Sequence, residues 1–127
     1  MPEQKQTIVV VDDDASMSKA IERLLHAAGF PAVTFPSAEA LLHAGAPAAA
    51  CCLVSDIRLP GLSGFDLYWR LAESGRKLPV IFITARDSPS ARRQADETSA
   101  VAYLPKPFSG RQLINAVSRA LGVVTDK

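Results

Sequence analysis

Five apolar runs of strand length recur along this chain at helix-sized intervals, and that rhythm limits its fold more than any other feature. Residues 8–11 read IVVV, 32–35 AVTF, 51–54 CCLV, 80–83 VIFI and 101–104 VAYL. Several runs are continuous rather than alternating, as expected for strands covered on both faces. The intervals between them each hold a helix and two short loops, which makes repeated βα units. Met17, Ala20, Ile21, Leu24, Leu25 and Ala28 form one apolar stripe, with Gly29 as a stop. Ser37 caps a short helix through Leu42 that ends near Gly45. Phe65, Tyr68, Trp69 and Ala72 form a third stripe, halted at Gly75. Residues 89–98 make the weakest helix, with Ala91 and Ala95 inward and Arg92 and Arg93 on a solvated face. Ser109 caps the last helix, with Leu113, Ile114, Val117 and Leu121 inward. The expected fold is α/β, a (βα)₅ doubly wound parallel five-stranded sheet with helices on both sides.

Composition narrows the class without naming a function. The 127 residues suit one domain, are 48% hydrophobic, and need no disulfide or metal to close a core. A net charge of +1 argues against nucleic-acid contact by this domain. The two cysteines, Cys51 and Cys52, are adjacent, so they form neither a redox C-x-x-C nor a zinc knuckle; they read as small core residues in a reducing cytoplasm. No apolar stretch is long enough for a signal peptide or membrane span. His26 and His43 have no partner at metal-ligand spacing and read as surface residues.

In open parallel sheets, ligands bind beyond the carboxyl ends of the strands. Asp12, Asp13 and Asp14 follow the first run, Ser55 and Asp56 the third, Thr84 the fourth, and Pro105, Lys106 and Pro107 the fifth. Asp14 reads as a helix cap, Thr84 alone also fits a turn hydroxyl, and Lys106 alone also fits an exposed loop. Taken together, the carboxylates repel, by about 4 kcal/mol for two unit charges 4 Å apart at an effective dielectric of 20. A hard cation such as Mg²⁺ offsets this, and the chemistry that fits is phosphoryl transfer to a carboxylate.

The motifs VVVDDD (9–14), LVSDIRLPGLSG (53–64), FITA (82–85) and YLPKPF (103–108) resemble those of bacterial response-regulator receiver domains in two-component signalling, of the type in FixJ- and LuxR-type transcription regulators. The resemblance runs from about residue 8 to 121, leaving 122–127 as a tail or the start of a linker. It implies a flavodoxin-like receiver fold with strand order 2-1-3-4-5. Asp56 resembles the phosphoacceptor, Asp12 and Asp13 the acidic pair that holds Mg²⁺ (or Mn²⁺), and the Arg58 backbone carbonyl a further metal ligand. Thr84 resembles the switch hydroxyl, Lys106 the phosphoryl-pairing lysine, and Tyr103 the aromatic switch. Pro107 sits where the family has a cis proline.

The resemblance further implies a sensor histidine kinase as donor and a switching face formed by the fourth helix, fifth strand and fifth helix. That face is expected to make a phosphorylation-dependent homodimer, and a C-terminal DNA-binding domain is expected in a full-length regulator. The chain then reads as a switch with self-catalysed phosphoryl transfer and slow autodephosphorylation, not as a turnover enzyme. The alternatives are a degenerate receiver that binds partners without phosphorylation and a stand-alone adaptor receiver. A haloacid-dehalogenase-like phosphatase would need an Asp where Arg58 stands. A flavin carrier would need a Ser/Thr/Gly phosphate loop where three aspartates stand. Two departures stand out. Ser99 replaces the usual glycine, which predicts a differently closed fourth helix, and Pro105 removes a backbone donor next to Lys106. Arg58 and Arg86 flank the site at positions that tune phosphoryl lifetime in the family.

Overall fold

Each apolar run becomes a strand and each interval a helix. The structure is a computed structural model describing residues 6–122, so all of the expected 122–127 tail except Gly122 lies outside the described residues. In chain order the elements are β1 (Thr7–Val11), α1 (Ala15–Ala27), β2 (Ala32–Phe35), α2 (Ala38–Ala44), β3 (Ala50–Asp56), α3 (Gly64–Glu73), β4 (Val80–Thr84), α4 (Pro89–Glu97), β5 (Ala102–Pro105) and α5 (Gly110–Ala120). All strands pair in parallel in the order β2-β1-β3-β4-β5.

The continuous apolar runs have a simple cause: both faces of the sheet are covered. Val9, Val11, Leu53 and Phe82 pack on one side against Leu41 of α2, Phe65, Leu67 and Leu71 of α3, and Ala91 and Ala95 of α4. Their neighbours Ile8, Val10, Val54, Ile81 and Ile83 pack on the other side against Ile21 and Leu25 of α1 and Leu113 and Val117 of α5. Cys52 is fully buried in that second layer and Cys51 is half-buried. His26 and His43 are both exposed.

Side-chain oxygens begin every helix. Asp14, Ser37, Ser63, Ser88 and Ser109 each accept a first-turn amide, and Ser63 with Asp66 and Ser109 with Gln112 form reciprocal capping boxes. Two stripe assignments change. Ala20 and Ala28 are exposed, and Ser18 turns inward to donate to the Asp12 carbonyl at 3.2 Å. Trp69, expected to pack, is 45% exposed, because Leu67 and Tyr68 take the inward positions.

The fourth helix does not close differently. Ser99 itself adopts the left-handed conformation, φ 58°. Its amide bonds Asp96 and the Ala100 amide bonds Ala95. The same pair of bonds closes α1 through Gly29 and Phe30, and α3 through Gly75 and Arg76. Pro105 is accommodated because β5 is an edge strand, where a missing donor breaks no ladder bond on the open side.

Candidate functional site

Parallel register brings the strand ends to one edge of the sheet. Val11 lies opposite Ser55, Asp56 opposite Ile83, and Thr84 opposite Pro105. Residues at or just past these ends therefore meet. Ligating oxygens of Asp12, Asp13 and Asp56 lie within 4.8 Å of one another. Lys106 Nζ donates to Asp12 Oδ2 and Asp56 Oδ2, both at 3.1 Å. Asp12 and Asp56 are buried, whereas Asp13 faces solvent. Gly64 lets α3 start hard against this edge: a Cβ there would collide with the Asp56 carbonyl oxygen.

The electrostatics follow from burial. Desolvation pushes the Asp12 carboxyl above the ordinary carboxylate range; the Asp14 amide at 2.9 Å and Lys106 pull it back, and Asp56 adds repulsion. Burial also works against the Lys106 charge, yet its bonds to Asp56 and Asp12 outweigh that and hold the ammonium above the ordinary lysine value. One amine thus neutralises part of a three-carboxylate cluster. The all-oxygen donor set, with an open exposed member, fits a hard divalent cation that keeps several waters.

The loop after β3 begins at the site. The Arg58 amide donates to Asp56 Oδ1 at 3.0 Å, which sets the first turn of the segment carrying the Arg58 carbonyl. The Arg58 and Arg86 side chains are exposed and border a cleft of about 390 Å³ that reaches Phe65, Ser88 and Gln94. Thr84 is fully buried, and its hydroxyl both donates to the Arg86 carbonyl and accepts from the Arg86 amide, each at 3.0 Å. Tyr103 is half-buried, and its hydroxyl donates to Asp87 Oδ1 at 3.0 Å. The Lys106–Pro107 bond is cis, and the Lys106 amide donates to the Thr84 carbonyl at 2.7 Å.

A family model, the response regulator receiver domain, matches residues 8–118. The chain belongs to the response regulator receiver domain family. Nodulation protein W of Bradyrhizobium diazoefficiens is 39% identical to it over 116 residues, covering 91% of this chain and 51% of that protein. The DNA-binding transcriptional regulator NtrC of Escherichia coli is 37% identical over 118 residues, 93% of this chain and 25% of that protein. Among solved structures, the response regulator StyR superposes with TM-score 0.85 at 37% identity, over 94% of this chain and 60% of that one. The beryllofluoride-activated DrrB receiver domain superposes with TM-score 0.83 at 27% identity, over 94% and 99%. The receiver domain spans about half the length, or less, of these curated relatives. Their names do not support the narrower assignment to FixJ- and LuxR-type regulators. No helix among the described residues is long and apolar enough to cross a membrane.

Three side chains of this receiver domain make contacts that sequence patterning did not mark. Arg92 is not simply solvated. It forms a two-pronged pair with Asp87 at 2.9 and 2.8 Å, and its guanidinium lies 4.7 Å from the centre of the Tyr103 ring. Asp87 therefore holds both Tyr103 and Arg92, and Arg92 in turn depresses the Asp87 carboxyl below its ordinary value. Glu39, in the first turn of α2, accepts the Leu62 amide at 2.8 Å across 23 residues. Spacing carries no signal for the Tyr103–Asp87 and Leu62–Glu39 bonds, which join separate segments, whereas the Asp87–Arg92 pair is local, across the start of α4.

Proposed function

We propose that this receiver domain accepts a phosphoryl group on Asp56 from the phosphohistidine of a sensor histidine kinase. The observation that carries the reading is Lys106 bridging Asp12 and Asp56 inside a buried acidic cluster. An ammonium held there pairs with a phosphoryl oxygen as that group arrives. The Asp56 carboxylate forms the new P–O bond while the P–N bond breaks, and the departing imidazole keeps the electron pair. Asp12, Asp13, Asp56 and the Arg58 carbonyl would hold Mg²⁺, which supplies charge stabilisation for the phosphoryl oxygens.

The switch reading rests on how the hydroxyls are now held. Thr84 is engaged by Arg86, and Tyr103 by Asp87. Release of both toward the phosphorylated site changes the α4–β5–α5 face, a local charge event biasing a two-state element. On this reading the face forms a phosphorylation-dependent homodimer, and a C-terminal DNA-binding domain takes the output in a full-length cytoplasmic regulator. The domain proper is the single unit from about 8 to 121. The FixJ- or LuxR-type assignment stands on the sequence motifs alone.

Acetyl phosphate with Mg²⁺ tests the reading. The wild type gains the mass of one phosphoryl group, needs the metal, and loses the gain in Asp56→Asn. Labelling of that variant at the wild-type level overturns the reading.

A further inference from the structure

The loop between β3 and α3 carries the Arg58 carbonyl, and its outer half is tethered from α2, the neighbouring helix on the same side of the sheet. Its base is closed locally: the Arg58 amide bonds Asp56 and the Gly64 amide bonds the Ile57 carbonyl at 2.9 Å. Farther out, Leu62 donates its amide to Glu39 Oε2. Gly61 stands with φ 79° directly against that carboxylate, where any Cβ would collide with it. The Glu39 side chain is exposed, but its backbone is anchored. Ser37 caps α2 by accepting the Ala40 amide, and Ala38 and Leu41, on either side of Glu39, are fully buried. A carboxylate accepting a backbone amide makes a stronger bond than a neutral acceptor. That bond is also what lowers the Glu39 carboxyl below its ordinary value.

We infer that Glu39 is a positioning residue for the metal site, holding the β3–α3 loop so that the Arg58 carbonyl stays presented to the cation beside Asp13 and Asp56. The inference rests on the proposed Mg²⁺ role of those residues. Glu39 touches neither metal nor phosphoryl group; it acts through Leu62 and Gly61 on the loop's path back to Arg58.

The test is Mg²⁺ titration by calorimetry on the whole chain, with the metal-free thermal midpoint measured alongside. Glu39→Ala removes the acceptor and weakens Mg²⁺ binding by about 10-fold, the low end for groups that orient metal ligands. Glu39→Gln keeps an oxygen facing the Leu62 amide and restores binding close to wild type. Gly61→Ala puts a Cβ where the Glu39 carboxylate stands and strains the φ 79° backbone beside Leu62, so it dislodges the same contact from the loop side and weakens binding again, which keeps the inference testable if Glu39→Ala fails to fold. Unchanged Mg²⁺ affinity in a folded Glu39→Ala, or in Gly61→Ala, overturns the inference while leaving Asp56 as phosphoacceptor. Equal weakening by Glu39→Gln and Glu39→Ala overturns it too, because charge rather than the loop bond is then responsible. A wild type that binds no Mg²⁺ overturns the metal reading itself.

Discussion

Replacing Ser99 with glycine should stabilise this domain. Ser99 is the one described non-glycine residue with a positive φ, 58°. It occupies the place that Gly29 and Gly75 take at the ends of α1 and α3. A left-handed conformation costs a residue with a Cβ about 1–2 kcal/mol. Glycine gives back about 0.5–1 kcal/mol of that through its freer unfolded chain. Ser99 is exposed, and no side-chain hydrogen bond of its own is lost among the described residues. The net gain for Ser99→Gly is then about 0.5–1 kcal/mol, or roughly 2–4 °C in thermal midpoint for a domain of this size. Urea unfolding followed by circular dichroism reads it as a higher midpoint at unchanged slope. Gly75→Ser is the reciprocal substitution and should lose a similar amount. A neutral or destabilising Ser99→Gly alongside a destabilising Gly75→Ser would refute the shared closure of these helices.

Lys106→Met should destabilise the metal-free domain by about 1–3 kcal/mol, since the buried Asp12 and Asp56 lose their counter-charge, and Mg²⁺ should recover part of that in a thermal melt. Because burial raises Asp12, its ionisation works against the fold, and that penalty is absent below its unfolded value and grows as pH rises through its folded one. Mg²⁺ should therefore raise the wild-type thermal midpoint at neutral pH and progressively less as pH falls through that range; a pH-independent increment would contradict the assignment. Burial pushes the Cys52 thiol up to about 12 from 9.0, so its folding contribution is intact below pH 9.0 and is lost as pH climbs toward 12. A thiol reagent at neutral pH should leave Cys52 unmodified until denaturant is added, and fast labelling of both thiols in the native state would contradict its burial. Asp87→Ala frees the Tyr103 hydroxyl and the Arg92 guanidinium, and should tighten beryllofluoride binding by favouring release of Tyr103; weaker binding would show that the contact supports the switched state.

The layers of the fold were legible because the sheet is covered on both faces, which writes continuous apolar runs such as IVVV and VIFI into the sequence. The acidic cluster was legible because parallel register carries the residues after alternate strands to one edge. Position after a strand thus sufficed for Asp12, Asp56 and Lys106. It did not suffice for Asp87, Arg92 or Glu39: Asp87 and Arg92 pair across the start of α4, and the Tyr103 and Leu62 partners lie on distant segments that obey no period. Ser99 misled for a local reason. Glycine is the cheapest left-handed residue, yet the two closing bonds to Asp96 and Ala95 hold serine in the same conformation. Trp69 misled because a stripe of large apolar residues on α3 is wider than the face the sheet covers, so one member is left outside.

On the proposed function, the phosphoryl group resides on Asp56 as an acyl phosphate. Borohydride reduction of the acetyl-phosphate-treated protein converts an acyl phosphate into the corresponding alcohol, which peptide mass spectrometry then locates. A single reduced side chain is expected, at Asp56, formed only when Mg²⁺ is present. Reduction at Asp12 or Asp13 instead, or a stable phosphoryl adduct on Thr84 or Lys106, would contradict it.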